Sequence, residues 1–168
     1  MKIRLSGICY NSLVNGEGMR RVFFTQGCKH NCKSCFNPQT HSFTGGQLYN
    51  IESLIEDTFN DIMIKGITFS GGDPFEQPEA CYEMAKAFRE KGLNLWSYTG
   101  YTFEALLNSN KPGTVEFLSQ LDVLVDGKFK EDLKSDKLKF RGSSNQRIID
   151  VQESLKENKV ILYKPDKY

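Results

Sequence analysis

Long apolar runs are missing from this chain. No stretch of its 168 residues approaches the roughly 20 apolar residues that a membrane-spanning helix needs. The start, MKIRLSGICYNSLVNGEG, has no apolar core of the kind that makes a secretory signal. A cytoplasmic protein with no membrane partner is therefore expected. An excess of one charge is missing as well. Lys and Arg number 22 against 21 Asp and Glu, a net charge near +1, so nothing electrostatic draws the chain to nucleic acid or anionic lipid. Internal repeats, low-complexity tracts and linkers are all absent, which predicts a single domain over residues 1–168. That length buries a real core but falls short of the about 250 residues of a complete eight-stranded α/β barrel.

Cysteine is scarce, and its distribution is uneven. Three of the five cysteines lie in GCKHNCKSCFN, residues 27–37, spaced C-x3-C-x2-C as Cys28, Cys32 and Cys35. In a reducing compartment such a cluster points to metal or redox chemistry more than to disulfides, and an odd count cannot pair completely. Structural zinc takes four ligands, usually as two separated pairs, whereas only a trio is present; His30 lies within it and Cys9 and Cys81 are remote. A four-iron cluster also binds thiolates, and three cysteines would leave one iron open to an outside molecule. Zinc, an iron–sulfur cluster and reduced thiols all stay open on spacing alone.

Strand-like and helix-like segments alternate. RVFFT (21–25) reads as a strand that runs into the cysteine loop. NIESLIEDTFNDIMIK (50–65) reads as a helix capped by Asn50, with Ile51, Leu54, Ile55, Phe59, Ile62 and Met63 near one face. GITFS (66–70) predicts a second strand ending in GGDP, and a helix from about Pro78 carries Ala80, Met84, Ala85 and Phe88 toward a stop at Gly92. LNLWSYTG, a helix capped by Thr102, another capped by Thr114, the strand LDVLVDG, and strand-like QRIID and VILY follow. This alternation predicts parallel βαβ units with right-handed crossovers, hence an incomplete α/β barrel or open sheet. Parallel strands release their following loops at one edge, where such folds keep their chemistry. The cysteine loop, GGDP, TGY and DGKF should therefore converge. Gly71 and Gly72 would let backbone approach a ligand, and Asp73 would offer it a carboxylate, although Gly-Gly-Asp-Pro is also an ordinary turn.

The cysteine motif after one strand and GGDP after the next resemble the radical S-adenosylmethionine superfamily. Within it, NGEGMRRVFFTQGCKHNCKSCFNPQT, ITFSGGDPFEQPE, WSYTGYTFEAL, DVLVDGKF and FRGSSNQRIIDV are similar to the activating proteins of anaerobic (class III) ribonucleoside-triphosphate reductases, over about residues 15–151. The resemblance implies an incomplete (β/α) barrel of the radical S-adenosylmethionine type, a single domain with a mainly parallel sheet. It implies that Cys28, Cys32 and Cys35 ligate a 4Fe-4S cluster whose open iron chelates S-adenosyl-L-methionine. Ser34 and Phe36 would then touch the nucleoside, and Gly71, Gly72 and Asp73 the methionyl ammonium. The activity implied is reductive cleavage to a 5′-deoxyadenosyl radical, which generates a glycyl radical on the large reductase subunit. Flavodoxin or ferredoxin is implied as electron donor. Rival readings are an activase of another glycyl-radical enzyme, a small-molecule radical enzyme, and a zinc-binding interaction module without catalysis.

Other residues carry weaker signals. Tyr98, Thr99, Asp126 and Lys128 follow predicted strands at the active edge and are expected either to bind ligand or to form solvated turns. Cys81 reads as a buried hydrophobe, His30 as a loop or solvent residue, and His41 as unremarkable. Residues 128–147 hold seven Lys and Arg against three acids, a solvated face or a docking surface for an acidic partner.

Overall fold

The computed structural model describes residues 1–164. The four central strands run parallel: β2 (Arg20–Thr25), β4 (Gly66–Gly71), β5 (Asn94–Tyr98) and β6 (Val123–Asp126). Three further strands are added antiparallel at the flanks: β1 (Lys2–Ser12) on β2, β3 (Gln47–Asn50) on β1, and β7 (Arg147–Asp150) on β6. Among the described residues these form one sheet of order β3-β1-β2-β4-β5-β6-β7 that does not close. The predicted incomplete, mainly parallel α/β architecture is what the chain adopts.

Side chains alternate across the sheet and divide it into two faces. Phe23, Ile67, Phe69, Leu95, Leu124 and Ile149 point to the outer face. There they meet Met84 and Phe88 of α2 (Pro78–Glu90), Phe117 of α4 (Thr114–Gln120), and α1 (Ile51–Phe59). The short α3 (Phe103–Leu107) and α5 (Val151–Glu157) complete this layer. Helix starts follow local chemistry: Asn50 accepts from the N–H groups of Glu52 and Ser53, and Thr102 from that of Ala105. The concave inner face carries Trp96, Val123, Val125 and Tyr98.

The inner face also buries Arg20. Its guanidinium donates to Thr68 Oγ1, Asn94 Oδ1 and the carbonyls of Glu17, Ile67 and Asn94 at 2.7–2.9 Å, and lies 5.4 Å from the centre of the Trp96 ring. Burial lowers its pKa to about 10, but five acceptors around one fork keep the group satisfied. No helix of the described residues is long and apolar enough to cross a membrane.

Several local expectations shift. α1 stops at Phe59, so Ile62 and Met63 leave the helix and stand 85% and 64% exposed. Gly113, left-handed at φ 87°, precedes α4 at the cap position; Thr114 is already helical and its buried hydroxyl has no partner among the described residues. QESLKE forms most of α5, and VILY contributes only the bridge from Leu162 to Ile149.

Candidate active site

The four loops that follow β2, β4, β5 and β6 leave the sheet at one edge, as parallel strands require. They bound a cavity of about 510 Å³ against the inner face, with Phe24, Ser70 and Tyr98 as its floor. Cys28, Cys32 and Cys35 all line it, as do Phe36, Gly71, Gly72, Thr99 and Gly127. The topology thus brings together residues as far apart in sequence as Val14 and Gln146.

The cysteine loop is shaped by its own backbone. Asn31 and Ser34 adopt left-handed φ values of 50° and 59°, turning the chain twice within the motif. Gly27 N–H donates to Thr40 O at 2.7 Å, Cys28 N–H to His41 O at 3.2 Å, and Asn37 N–H to the Cys35 sulfur at 3.4 Å. All three cysteines are free and half-buried. Burial pushes the Cys28 thiol up to about 11, partly offset by the backbone N–H of His30. A thiolate there needs nearby positive charge, which a bound metal supplies.

The GGDP loop sits directly against this one. Gly72 N–H donates to Thr25 O, and Asp73 N–H to Gly27 O at 2.9 Å. Gly71 is left-handed at φ 102°, and a Cβ on Gly72 would stand 2.8 Å from the Gly27 carbonyl carbon. The two glycines therefore permit both a strained turn and a close loop–loop approach. Asp73 departs from its expected orientation. It is fully buried, and its carboxylate accepts from Phe75 N–H, Thr99 Oγ1, Gly100 N–H and His30 Nε2 at 2.7–3.0 Å. A carboxylate already holding these donors inside the protein ties three loops together; it does not line the cavity.

Ser34 also faces away from the cavity: its hydroxyl donates to Glu131 Oε1 at 2.8 Å. That bond, with Lys33 nearby, holds the Glu131 carboxyl below its ordinary range. Phe36 lines the cavity with its ring centre 4.8 Å from that of Phe129, and Gly142 packs where a Cβ would come within 2.8 Å of the Phe36 ring. Asp126 is buried and bound to Arg147 at 2.6 Å and to Phe103 N–H, while the Lys128 carbonyl accepts from Asn145. Tyr98 stands on the floor of the cavity, where burial raises its phenol pKa. Cys9 and Cys81 lie outside the site, and burial raises the Cys81 thiol well above its usual range.

Sequence reasoning missed His30, His41, Phe129 and Gly142 as site residues. Only His30 carried a signal, its place inside the motif; its partner is 43 positions away. His41 Nε2 is buried in the cavity wall with no hydrogen-bond partner among the described residues. An orphaned polar atom, three free thiols and two glycines around one cavity fit a bound cluster and a polar ligand. Among the described residues, no three His, Cys, Asp or Glu side chains converge on a point where a single ion would sit. A four-iron cluster makes a different demand, because its ligands attach to separate irons.

A family described as "4Fe-4S single cluster domain" matches residues 14–149, which include all four loops. The anaerobic ribonucleoside-triphosphate reductase-activating protein of Escherichia coli K12 is 37% identical over 145 residues, 81% of this chain and 91% of that relative. The protein of the same name from Enterobacteria phage T4 is 37% identical over 143 residues, covering 80% and 86%. This chain belongs to the family of anaerobic ribonucleoside-triphosphate reductase-activating proteins. The Haemophilus influenzae member is 35% identical over 144 residues, 81% of this chain and 90% of its own length. QueE from Escherichia coli shares the fold, with a TM-score of 0.52 and 9% identity over 77% of this chain and 72% of that one. In this family member the matched region ends within β7, so it also takes in the excursion of residues 127–146 that packs Phe129 and Gly142 on Phe36.

Proposed function

We propose that this protein is the activase of an anaerobic ribonucleotide reductase and generates a glycyl radical on the large reductase subunit. The observation that carries the reading is the convergence of Cys28, Cys32 and Cys35 with Gly71 and Gly72 on one cavity, in a chain of the activating-protein family. Cys28, Cys32 and Cys35 would hold a 4Fe-4S cluster. When bound, it would supply the one-electron reduction that cleaves S-adenosyl-L-methionine, the radical chemistry needed to activate a glycine of the reductase.

The protein's own part is binding, orientation and exclusion of water. Gly71 and Gly72 present bare backbone to the methionyl group. Phe36, backed by Phe129, forms an apolar wall for the nucleoside; Ser34 contributes backbone there, its hydroxyl being engaged by Glu131. Asp73 positions the loops that carry these contacts and does not touch the ammonium itself. Phe24 and Tyr98 keep the cavity floor dry. The sheet leaves the cavity open on one side, and the reductase's glycine loop closes it. A flavodoxin or ferredoxin delivers the electron, in the cytoplasm.

The test mixes anaerobically reconstituted protein, reductant, S-adenosyl-L-methionine and the candidate large subunit, then looks for a glycyl radical by electron spin resonance. The radical should form with the native chain and be absent with Cys32→Ala. Radical formation undiminished in Cys32→Ala would refute the assignment.

A further inference from the structure

The floor of the cavity carries two hydroxyls that the chain itself leaves unused. Phe24, Ser70 and Tyr98 line it from the neighbouring parallel strands β2, β4 and β5. Phe24 pairs with Ser70, and the register that sets Phe69 against Ser97 brings Ser70 beside Tyr98 one position further on. Adjacent strands stand about 4.8 Å apart, so the serine and the tyrosine are neighbours in one row across the inner face. The Tyr98 ring packs against Trp96, Val123 and Val125. Among the described residues neither hydroxyl has a hydrogen-bond partner; at Ser70 it is the carbonyl that is engaged, by Thr25 Oγ1. Both residues are half-buried, and neither hydroxyl belongs to the buried side-chain atoms that lack a partner. The two groups therefore open onto the cavity.

Unspent hydroxyls at a ligand cavity call for an occupant with polar atoms of its own. In the reading above, the loops take S-adenosyl-L-methionine through Gly71, Gly72 and the wall formed by Phe36. The floor is left for the group on which the reaction acts. That group is a glycine, which has no side chain to recognise and offers only its main-chain N–H and C=O. In an extended chain these two point to the same side. A hydroxyl both donates and accepts, so two of them side by side match one such residue. Burial raises the Tyr98 phenol pKa, and the group keeps the proton it has to donate. We propose that Tyr98 and Ser70 bind the main chain of the reductase's glycine segment, Tyr98 donating to a carbonyl and Ser70 accepting from an N–H. The inference rests on the reading above, in which the glycine loop of the large subunit enters this cavity.

The test compares the native protein with Tyr98→Phe and Ser70→Ala, each as the full chain reconstituted anaerobically. Binding of the candidate large subunit, with S-adenosyl-L-methionine present, is measured by ultracentrifugation. Binding of S-adenosyl-L-methionine alone is measured by the change it causes in the electron spin resonance of the reduced cluster. Each variant removes one hydrogen bond to the segment, so the dissociation constant for the large subunit should rise about fivefold in each. The constant for S-adenosyl-L-methionine should stay at its native value. Since the phenol is not bonded within the chain, the urea midpoint of metal-free Tyr98→Phe should not fall. Unchanged affinity for the large subunit in either variant overturns the proposal. Weakened binding of S-adenosyl-L-methionine overturns it as well, because the hydroxyls would then belong to the cofactor. So does a lowered urea midpoint, which would reveal a partner for the phenol inside the protein. A native chain that takes up no four-iron cluster, or does not bind the large subunit, would instead refute the reading beneath, and the two failures are thus told apart.

Discussion

Replacing Gly72 with alanine should force apart the two loops on which the site is built. The new Cβ would lie 2.8 Å from the Gly27 carbonyl carbon and 2.9 Å from Thr40 O, with the Gly27 oxygen nearer still. All three are backbone atoms with no rotamer to relieve them. Overpacking of this kind costs about 1–3 kcal/mol. The Asp73 N–H to Gly27 O bond of 2.9 Å would be lengthened or lost, adding about 1 kcal/mol. The expected destabilisation is about 2–4 kcal/mol, from a residue whose φ is ordinary. Gly7→Ala is the control: among the described residues nothing lies within 4 Å of its Cβ position, so it should be neutral, or stabilising by a few tenths of a kcal/mol. Urea unfolding of the metal-free chain, followed by the fluorescence of buried Trp96, measures both. With a slope of about 2 kcal/mol per molar, Gly72→Ala should lower the midpoint by about 1–2 M. A midpoint within about 0.3 M of the native value would show that the loops are not in the close contact described.

Arg20→Lys should destabilise the protein by about 2–4 kcal/mol, because one ammonium cannot serve all the acceptors now held by the guanidinium fork; an unchanged urea midpoint would refute the structural weight given to that fork. Glu104 is held below its ordinary pKa of 4.5, chiefly by its hydrogen bonds with Arg147. A depressed folded pKa gives stability that is present above pH 4.5 and lost as the carboxylate protonates below it. Glu104 is 55% exposed, so the pair contributes only about 0.2–1 kcal/mol. The melting temperature of Glu104→Gln should accordingly fall below that of the native chain at neutral pH and converge on it in acid, whereas a gap that persists at about pH 3 would contradict the assignment.

Much of the architecture was legible because the parallel core writes itself in short, apolar, β-branched and aromatic segments separated by helical periodicity. RVFFT, GITFS, LNLWSYTG and LDVLVDG each overlap the central strand they predict. The antiparallel flank was harder to read. β1 begins with the alternation of buried Ile3 and Leu5, but register shifts after Leu5 and again after Cys9 break the pattern. β3 is four residues of largely exposed edge. Ile62 and Met63 fit a helical stripe on paper, yet α1 ends before them; periodicity cannot say where a helix stops. In the site, the convergence of loops followed from strand direction, which sequence supplies. The orientation of Asp73 did not, since that depends on His30 and Thr99, both remote in sequence and adjacent only after folding. The basic run of residues 128–147 was similarly opaque: Arg147 belongs to a network with Asp126 and Glu104, and Lys33 reaches into the run to pair with Glu131.

Three thiols that bind a cluster with one corner free are the centre of the proposed chemistry. Iron and sulfide analysis of anaerobically reconstituted protein, coupled to electron spin resonance of the reduced sample with and without S-adenosyl-L-methionine, tests this directly. Four irons and four sulfides per chain, with a spectrum that changes when the cofactor is added, are expected. Colourless protein carrying one zinc per chain, or a cluster whose spectrum ignores the cofactor, would contradict it.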